Sequence, residues 1–221
     1  TRTHWELRPV LKSAANGSSE FMTNISMSIV TMLYNWQLLR LMGADGVTVF
    51  GIIMYVSFIF VALFLGYSMG SAPIVSFHYG AGNQEELRGL FRRSLTIILA
   101  MSAGLTVLAI VLAKPLAMIF VSYDPALLSV TTRALTIYAV SYLLTGFNIY
   151  ASSFFTALND GLVSALISFA RTLVFQVLAV LTLPLLWEAD GIWAAVILAE
   201  GLAALLSLAC FLRFRRKYGY A

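Results

Sequence analysis

The chain has 221 residues, 60% of them hydrophobic and 11% charged, with a formal net charge of +4. A soluble domain carries about 25% charged residues, so this composition, with a mean hydropathy of +0.88, excludes a water-soluble globule and reads as an integral membrane protein. The single cysteine, Cys210, excludes a disulfide framework or a Cys-x-x-Cys metal site, and no alternating apolar pattern of a membrane β-barrel is present.

The chain opens on a basic lead-in, TRTHWELRPVLKSAANGS, without a cleavable signal peptide. It reads as a linker continuing from an upstream segment, so a fragment is expected. Uncharged runs then cover 21–39, 46–84, 94–113 and 134–159, while 161–187 and 191–212 are each broken by one charge, Arg171 and Glu200. A membrane-crossing helix needs about 20 mostly apolar residues. The predicted fold is therefore all-α, a bundle of six transmembrane helices over about 16–41, 46–80, 90–113, 126–157, 161–187 and 191–213. A linker (1–15) precedes the bundle and a basic tail (214–221) follows it.

Within this order several local features stand out. The run 46–84 is nearly twice as long as a ~30 Å crossing requires at about 1.5 Å per residue. A helix kinked at Pro73 and ended by Gly80 or Gly82 is predicted there. KPLAMIFVSYD (114–124) is too short to span and is assigned to the outer interface. The stretches ADGV (44–47), NDGL (159–162) and ADGI (189–192) each precede a span. Their aspartates, Asp45, Asp160 and Asp190, are read as helix-start caps, because a carboxylate accepts from unpaired first-turn amides and suits the helix dipole.

Basic residues fall unequally on the two sides of the predicted bundle. Arg2, Arg8, Lys12, Arg88, Arg92, Arg93, Arg213, Arg215, Arg216 and Lys217 share one side, against Arg40, Lys114 and Arg133 on the other. The positive-inside rule places the first group, and both ends of the chain, in the cytoplasm. The net positive charge follows from this bias and from contact with the lipid bilayer, so no nucleic-acid partner is implied.

Charges inside spans cost about 2.5–3.5 kcal/mol each on insertion scales and usually face a bundle interior. Arg171 lies eleven residues past Asp160, and Glu200 ten past Asp190. On antiparallel helices both therefore sit about 15 Å deep. They form either a structural ion pair or a site that exchanges partners. Glu20 is either a first-turn acid facing water or, in a helix starting near Ala14, a sheltered carboxylate with a raised pKa. Uncharged polar groups also fall within spans, among them Asn24, Tyr34, Tyr55, Tyr142, Asn148, Tyr150 and Gln176. They satisfy one another across helices or line a polar, aromatic cavity. GYSMG (66–70) matches the G-x-S-x-G nucleophile pattern, with His78 in the same run. On one continuous helix Ser68 and His78 would stand about 15 Å apart, too far for a serine–histidine pair.

NGSSEFMTNISMSIVTMLYNWQLLRLMGADGVTVFGI, GYSMGSAPIVSFHYGAGNQEELRGLFRRS and DGIWAAVILAEGLAALLSL resemble, in order and spacing, the second half of multidrug and toxic compound extrusion (MATE) transporters, in the bacterial multidrug-efflux branch. The resemblance covers essentially the whole chain. It implies one lobe of a twelve-helix antiporter in the bacterial inner membrane, whose partner is an N-terminal six-helix lobe of the same chain. Small amphiphilic, often cationic substrates would leave in exchange for protons or sodium, without a cofactor. Glu20 matches the family's acidic position near the start of this half, which implies a coupling-ion or substrate-cation site there. Arg171 and Glu200 match recurring polar positions. Some sodium-coupled relatives carry a second carboxylate in the fourth span. None occurs over 126–158 here, which favours protons over sodium. A lipid-linked saccharide flippase of the same superfamily and an intramembrane serine protease are the alternatives.

Overall fold

A computed structural model describes the backbone of residues 7–221 and the side chains from Asn24 onward. Almost all of it is helix, as it must be where hydrocarbon offers backbone groups no partner. Helix α1 (Leu7–Gly80) departs from helical dihedrals only at Gly43 (φ 68°, ψ −151°), a region that glycine alone enters without strain. The chain reverses there. A Cβ on Gly46 would stand 3.1 Å from the Leu38 carbonyl oxygen, whereas eight residues of straight helix would separate the two by about 12 Å. α1 therefore supplies two spans, 7–42 and 44–80. The break in helical backbone falls at Gly43 and not at Pro73, which is carried inside the second arm. Of the two glycines expected to end this arm, Gly82 takes the left-handed conformation (φ 71°).

The third span is α2 (Gln84–Val121), capped by Asn83, whose Oδ1 accepts from the Glu86 amide at 3.2 Å. It does not stop at Lys114. Pro115 is accommodated within the helix, and the segment expected at the outer interface extends it to Val121. Ala113, Ala117 and Val121, spaced by four, keep one face of this extension buried against the lobe. The fourth span is α3 (Pro125–Ala139) with α4 (Tyr142–Ala157), bent by 47°. Asp124 opens it by accepting from the Ala126 and Leu127 amides at 2.9 and 3.1 Å. α5 (Gly161–Phe169), a π-helical turn (Ala170–Phe175) and α6 (Gln176–Thr182) make the fifth. α7 (Pro184–Tyr218) holds the sixth, after non-helical Trp187 and Glu188. Four of these helical stretches are each long and apolar enough to cross a membrane, and the bent pair makes a fifth. The reversal at Gly43 brings the number of spans to six.

The three Asp-Gly stretches all begin spans, but capping explains only one. Each follows or contains a positive-φ residue: Gly43, Asn159 (φ 60°) and Glu188 (φ 49°). Asp160 caps α5 through the Val163 amide at 3.3 Å. Asp190 instead pairs with Arg133 of α3, and Asp45 stands exposed. The glycine of the stretch has a steric purpose. A Cβ on Gly191 would lie 2.4 Å from the Leu183 carbonyl oxygen, where α6 ends against α7.

One end of the bundle is tied tightly. Lys217 Nζ reaches Asp160 Oδ2 at 3.3 Å, the Tyr218 hydroxyl donates to the same oxygen, and Arg88 Nε donates to the Gly219 carbonyl at 3.0 Å. The expected tail over 214–221 is helix as far as Tyr218. Gly219 (φ 69°) then turns the chain back, and Tyr220 is fully buried. Its ring packs on Phe91 and Phe154 at 4.8 and 5.0 Å, and its hydroxyl donates to the Phe211 carbonyl at 2.9 Å. At the opposite end Arg133 and Asp190 meet at the surface.

Two tests follow from this packing. Gly191→Ala forces backbone apart and should cost about 1–3 kcal/mol. Gly201→Ala, with open space at its Cβ, should be neutral or gain up to about 1 kcal/mol of helix propensity. Thermal melting of the two variants in detergent must separate them in that order. Burial alone would raise the Asp160 carboxyl, but the Tyr218 hydroxyl, the Val163 amide and Lys217 outweigh it and hold the group below its usual value. Its stabilisation is therefore present above the ordinary carboxylate pKa and lost as pH falls through the folded one. Asp160→Asn should lower Tm at neutral pH and flatten the fall in Tm below about pH 5. An unchanged slope would remove Asp160 from the acid sensitivity.

Candidate functional site

The interior of the bundle is built around Glu200. Its carboxylate, on α7, is 4% exposed and accepts from Arg171 Nε through Oε1 at 2.9 Å and Oε2 at 3.2 Å. Asn148 of α4, fully buried, donates from Nδ2 to Glu200 Oε2 at 2.6 Å and to its carbonyl at 3.0 Å. Ser207, two helical turns beyond Glu200, completes the chain by donating to Asn148 Oδ1 at 3.1 Å. A buried carboxylate left unpaired would cost several kcal/mol, and here every oxygen has a charged or amide donor. Arg171 comes from the π-helical turn, a wider turn that recurs at functional positions in membrane and soluble helices.

Three further contacts surround this core. The Tyr34 hydroxyl, on the first span, donates to Gln176 Oε1 at 3.0 Å, and Gln37 Nε2 reaches the Val180 carbonyl at 3.4 Å. The Tyr142 hydroxyl donates to Ser57 Oγ at 2.8 Å. Tyr138 packs against Tyr142, with ring centroids 6.1 Å apart. Five of the six spans thus contribute polar contacts to the interior of the lobe.

Among the residues singled out by sequence, Arg171, Glu200 and Asn148 meet directly, and Tyr34 meets Gln176 beside them. Tyr142 belongs to the same region through Ser57. Tyr150 does not. It lies buried near Tyr67, with ring centroids 6.4 Å apart, and its hydroxyl is unpartnered. Tyr55 is 73% exposed and faces away from the bundle interior. Asn24 is exposed toward the start of the described first span. Tyr34, Tyr142, Asn148 and Tyr150 are all buried within the lobe, and Tyr55 is on its surface. The side chain of Glu20 lies outside the described residues. Sequence reasoning passed over Ser57, Tyr138 and Ser207. Only Ser207 carried a signal, standing seven residues after Glu200 and so on the same helix face.

Ser68 and His78 lie on one uninterrupted arm of α1, and Ser68 Oγ has no hydrogen-bond partner. Among the described residues no histidine reaches this serine. Among the described residues no three His, Cys, Asp or Glu side chains gather where they could hold a metal ion.

The fold recurs in solved transporters. An outward-facing multidrug resistance MATE family transporter of the MOP superfamily superposes with a TM-score of 0.85 at 22% identity, over 98% of this chain and 48% of that one. A MOP superfamily transporter from Pyrococcus furiosus gives 0.84 at 22%, over 96% and 47%. The Vibrio cholerae MATE transporter VcmN in its bent form gives 0.80 at 18%, over 90% and 44%. This chain therefore spans about half the length of the solved structures it matches. No curated protein matches it. The MatE family model matches residues 21–181, nearly the whole run from the first span through the fifth, and the chain belongs to the MatE family.

Proposed function

We propose that this chain is the C-terminal lobe of a secondary active multidrug efflux antiporter, which exports amphiphilic, often cationic compounds by alternating access. The observation that carries the reading is a MatE-family lobe of six spans that covers about half of each matched transporter. An N-terminal six-helix lobe of the same chain is the natural partner, with the substrate cleft between them. The basic residues Arg88, Arg92, Arg93, Arg213, Arg215, Arg216 and Lys217 then face the cytoplasm of a bacterial inner membrane. In this reading the chain works as a transporter rather than as an enzyme, as the MatE family match supports.

Glu20 is the coupling residue in this reading. Protonation removes its charge and favours one cleft state, and loss of the proton restores a cation site. The switch operates because proton and substrate bind the two states with different affinity. Sodium is the alternative coupling ion. The alternative cargo is a lipid-linked saccharide, whose anionic headgroup requires a cationic cleft. In the Pyrococcus furiosus relative a reversed polarity of the binding pocket suggests a different function, so cleft charge is the property that separates the two cargoes.

Ethidium efflux from everted vesicles containing the full-length transporter tests the coupling role. Under an imposed pH gradient, Glu20→Gln should reduce efflux to the level of empty vesicles at equal expression, because an amide cannot cycle a proton. Wild-type rates in the variant would remove Glu20 from the mechanism.

A further inference from the structure

The contact between Arg171 and Glu200 is one-sided. A guanidinium carries five N–H donors and usually grips a carboxylate with two nitrogens in parallel. Here only Nε is used, and it is shared between Oε1 and Oε2. The two terminal nitrogens, Nη1 and Nη2, donate to no described residue. They are not sealed inside the protein either. Among the described residues, the buried polar side-chain atoms without partners are Ser68 Oγ, His78 Nδ1, Ser102 Oγ, Thr106 Oγ1 and Tyr150 OH. The terminal nitrogens of Arg171 are not among them, and its side chain is 18% exposed against 4% for Glu200.

The pair is therefore an oriented dipole. Its negative end is buried and held by Asn148, while its positive end reaches the surface of the lobe with up to four N–H donors unused. A lone arginine at this depth would be costly. Glu200 offsets that cost without occupying the face that a ligand would meet. The neighbouring Gln176 already accepts from Tyr34. Glu200, the acid that faces Arg171, is turned inward.

We propose that the outward edge of Arg171 is a binding site for an oxyanion, the carboxylate or phosphate of an amphiphilic ligand, with Glu200 and Asn148 as positioning residues. The proposal deepens the transporter reading and rests on it for the ligand's amphiphilic character. It assigns an anionic or zwitterionic class to part of the cargo, in addition to the cations expected at Glu20. An arginine edge offers only donors and recognises planar or tetrahedral oxygens in pairs.

The test uses the full-length transporter in phosphatidylcholine nanodiscs and two matched probes, 1-pyrenebutyrate and 1-pyrenebutylamine, read by tryptophan-to-pyrene energy transfer. Wild type should bind the butyrate saturably. Arg171→Gln combined with Glu200→Gln removes both charges and strands neither. It should weaken the butyrate roughly tenfold or more while leaving the butylamine within about twofold, the scale of a lost charged hydrogen bond. Arg171→Lys keeps the charge without the paired donors and should fall between wild type and the double variant. Three results would overturn the site: no saturable butyrate binding in wild type, equal butyrate affinity in the double variant, or a parallel loss of both probes, which is what a purely structural pin predicts. Competition identifies the source of the oxyanion, since displacement by acetate marks carboxylate cargo and displacement by inorganic pyrophosphate marks phosphate cargo. The measurement is made at equilibrium without a gradient. A failure of Glu20 to couple efflux would leave its outcome untouched, and a failure of the oxyanion site would leave ethidium efflux untouched.

Discussion

A guanidinium and a carboxylate about ten residues inside antiparallel helices have no water to turn to, and their meeting is what the interior of this lobe is organised around. Each charge alone costs about 2.5–3.5 kcal/mol to insert, and a buried pair is tolerable only when its remaining lone pairs and protons are satisfied. Asn148 meets that condition from the fourth span, as Arg171 does from the fifth and Ser207 from the sixth. The first and second spans join through Tyr34 on Gln176 and Ser57 under Tyr142. The electrostatic demand of one buried acid thus sets how the fourth, fifth and sixth spans face one another. Apolar packing alone cannot do this, because lipid tails are as good a solvent for leucine as another helix is.

Elsewhere the helices are held by neutral groups of smaller effect. Ser152, Ser164, Ser168 and Thr156 form a hydroxyl ladder between α4 and α5 at 2.7–2.9 Å. Ser76 donates to the Ala157 carbonyl at 2.8 Å, and Tyr67 to Ser94 Oγ at 3.0 Å. Such bonds average about 0.6 kcal/mol in membrane proteins. Their main effect is geometric, since small hydroxyl side chains let backbones approach. The charged centre fixes which helices face each other, and the ladders set how closely they pack.

The parts legible in the sequence are those where the bilayer leaves no choice. Uncharged runs reveal spans because each crossing has a minimum length. Arg171 and Glu200 draw attention because charges there are expensive, and their similar spacing from Asp160 and Asp190, eleven and ten residues, gives their depth. What stayed hidden depends on choices between local solutions of similar cost. Pro73 and Gly43 both break a hydrogen-bonding pattern, but only Gly43 permits the positive φ that reverses the chain. Pro115 looks like a helix stop, yet the buried small residues on either side of it, Ala113 and Ala117, pack well enough to carry the helix through. The Asp-Gly stretches are visible as a repeat. Their aspartates suggest capping, while the structure uses mainly the preceding positive-φ residue and the clearance at glycine. The π-helical turn at Arg171 has no signature in residue type, and the outward direction of Tyr55 depends on helix rotation that its neighbours alone do not specify.

The two ends of the lobe are secured unequally, and the difference follows from burial. At the basic end Asp160 is 12% exposed and held by two donors, Lys217 and Tyr218, while Tyr220 closes an aromatic cluster with Phe91, Phe154 and Phe211. Edge-to-face ring pairs contribute about 0.5–1.5 kcal/mol each beyond the area they bury, and three chain segments converge on the same few side chains. At the other end the cross-link is Arg133 with Asp190, 69% and 40% exposed. An exposed pair contributes about 0–1 kcal/mol and weakens with salt. The nearby reversal at Glu188 is strained for a residue with a side chain. Local opening is therefore cheaper at the Arg133 end, with the Arg171–Glu200 centre between the two ends.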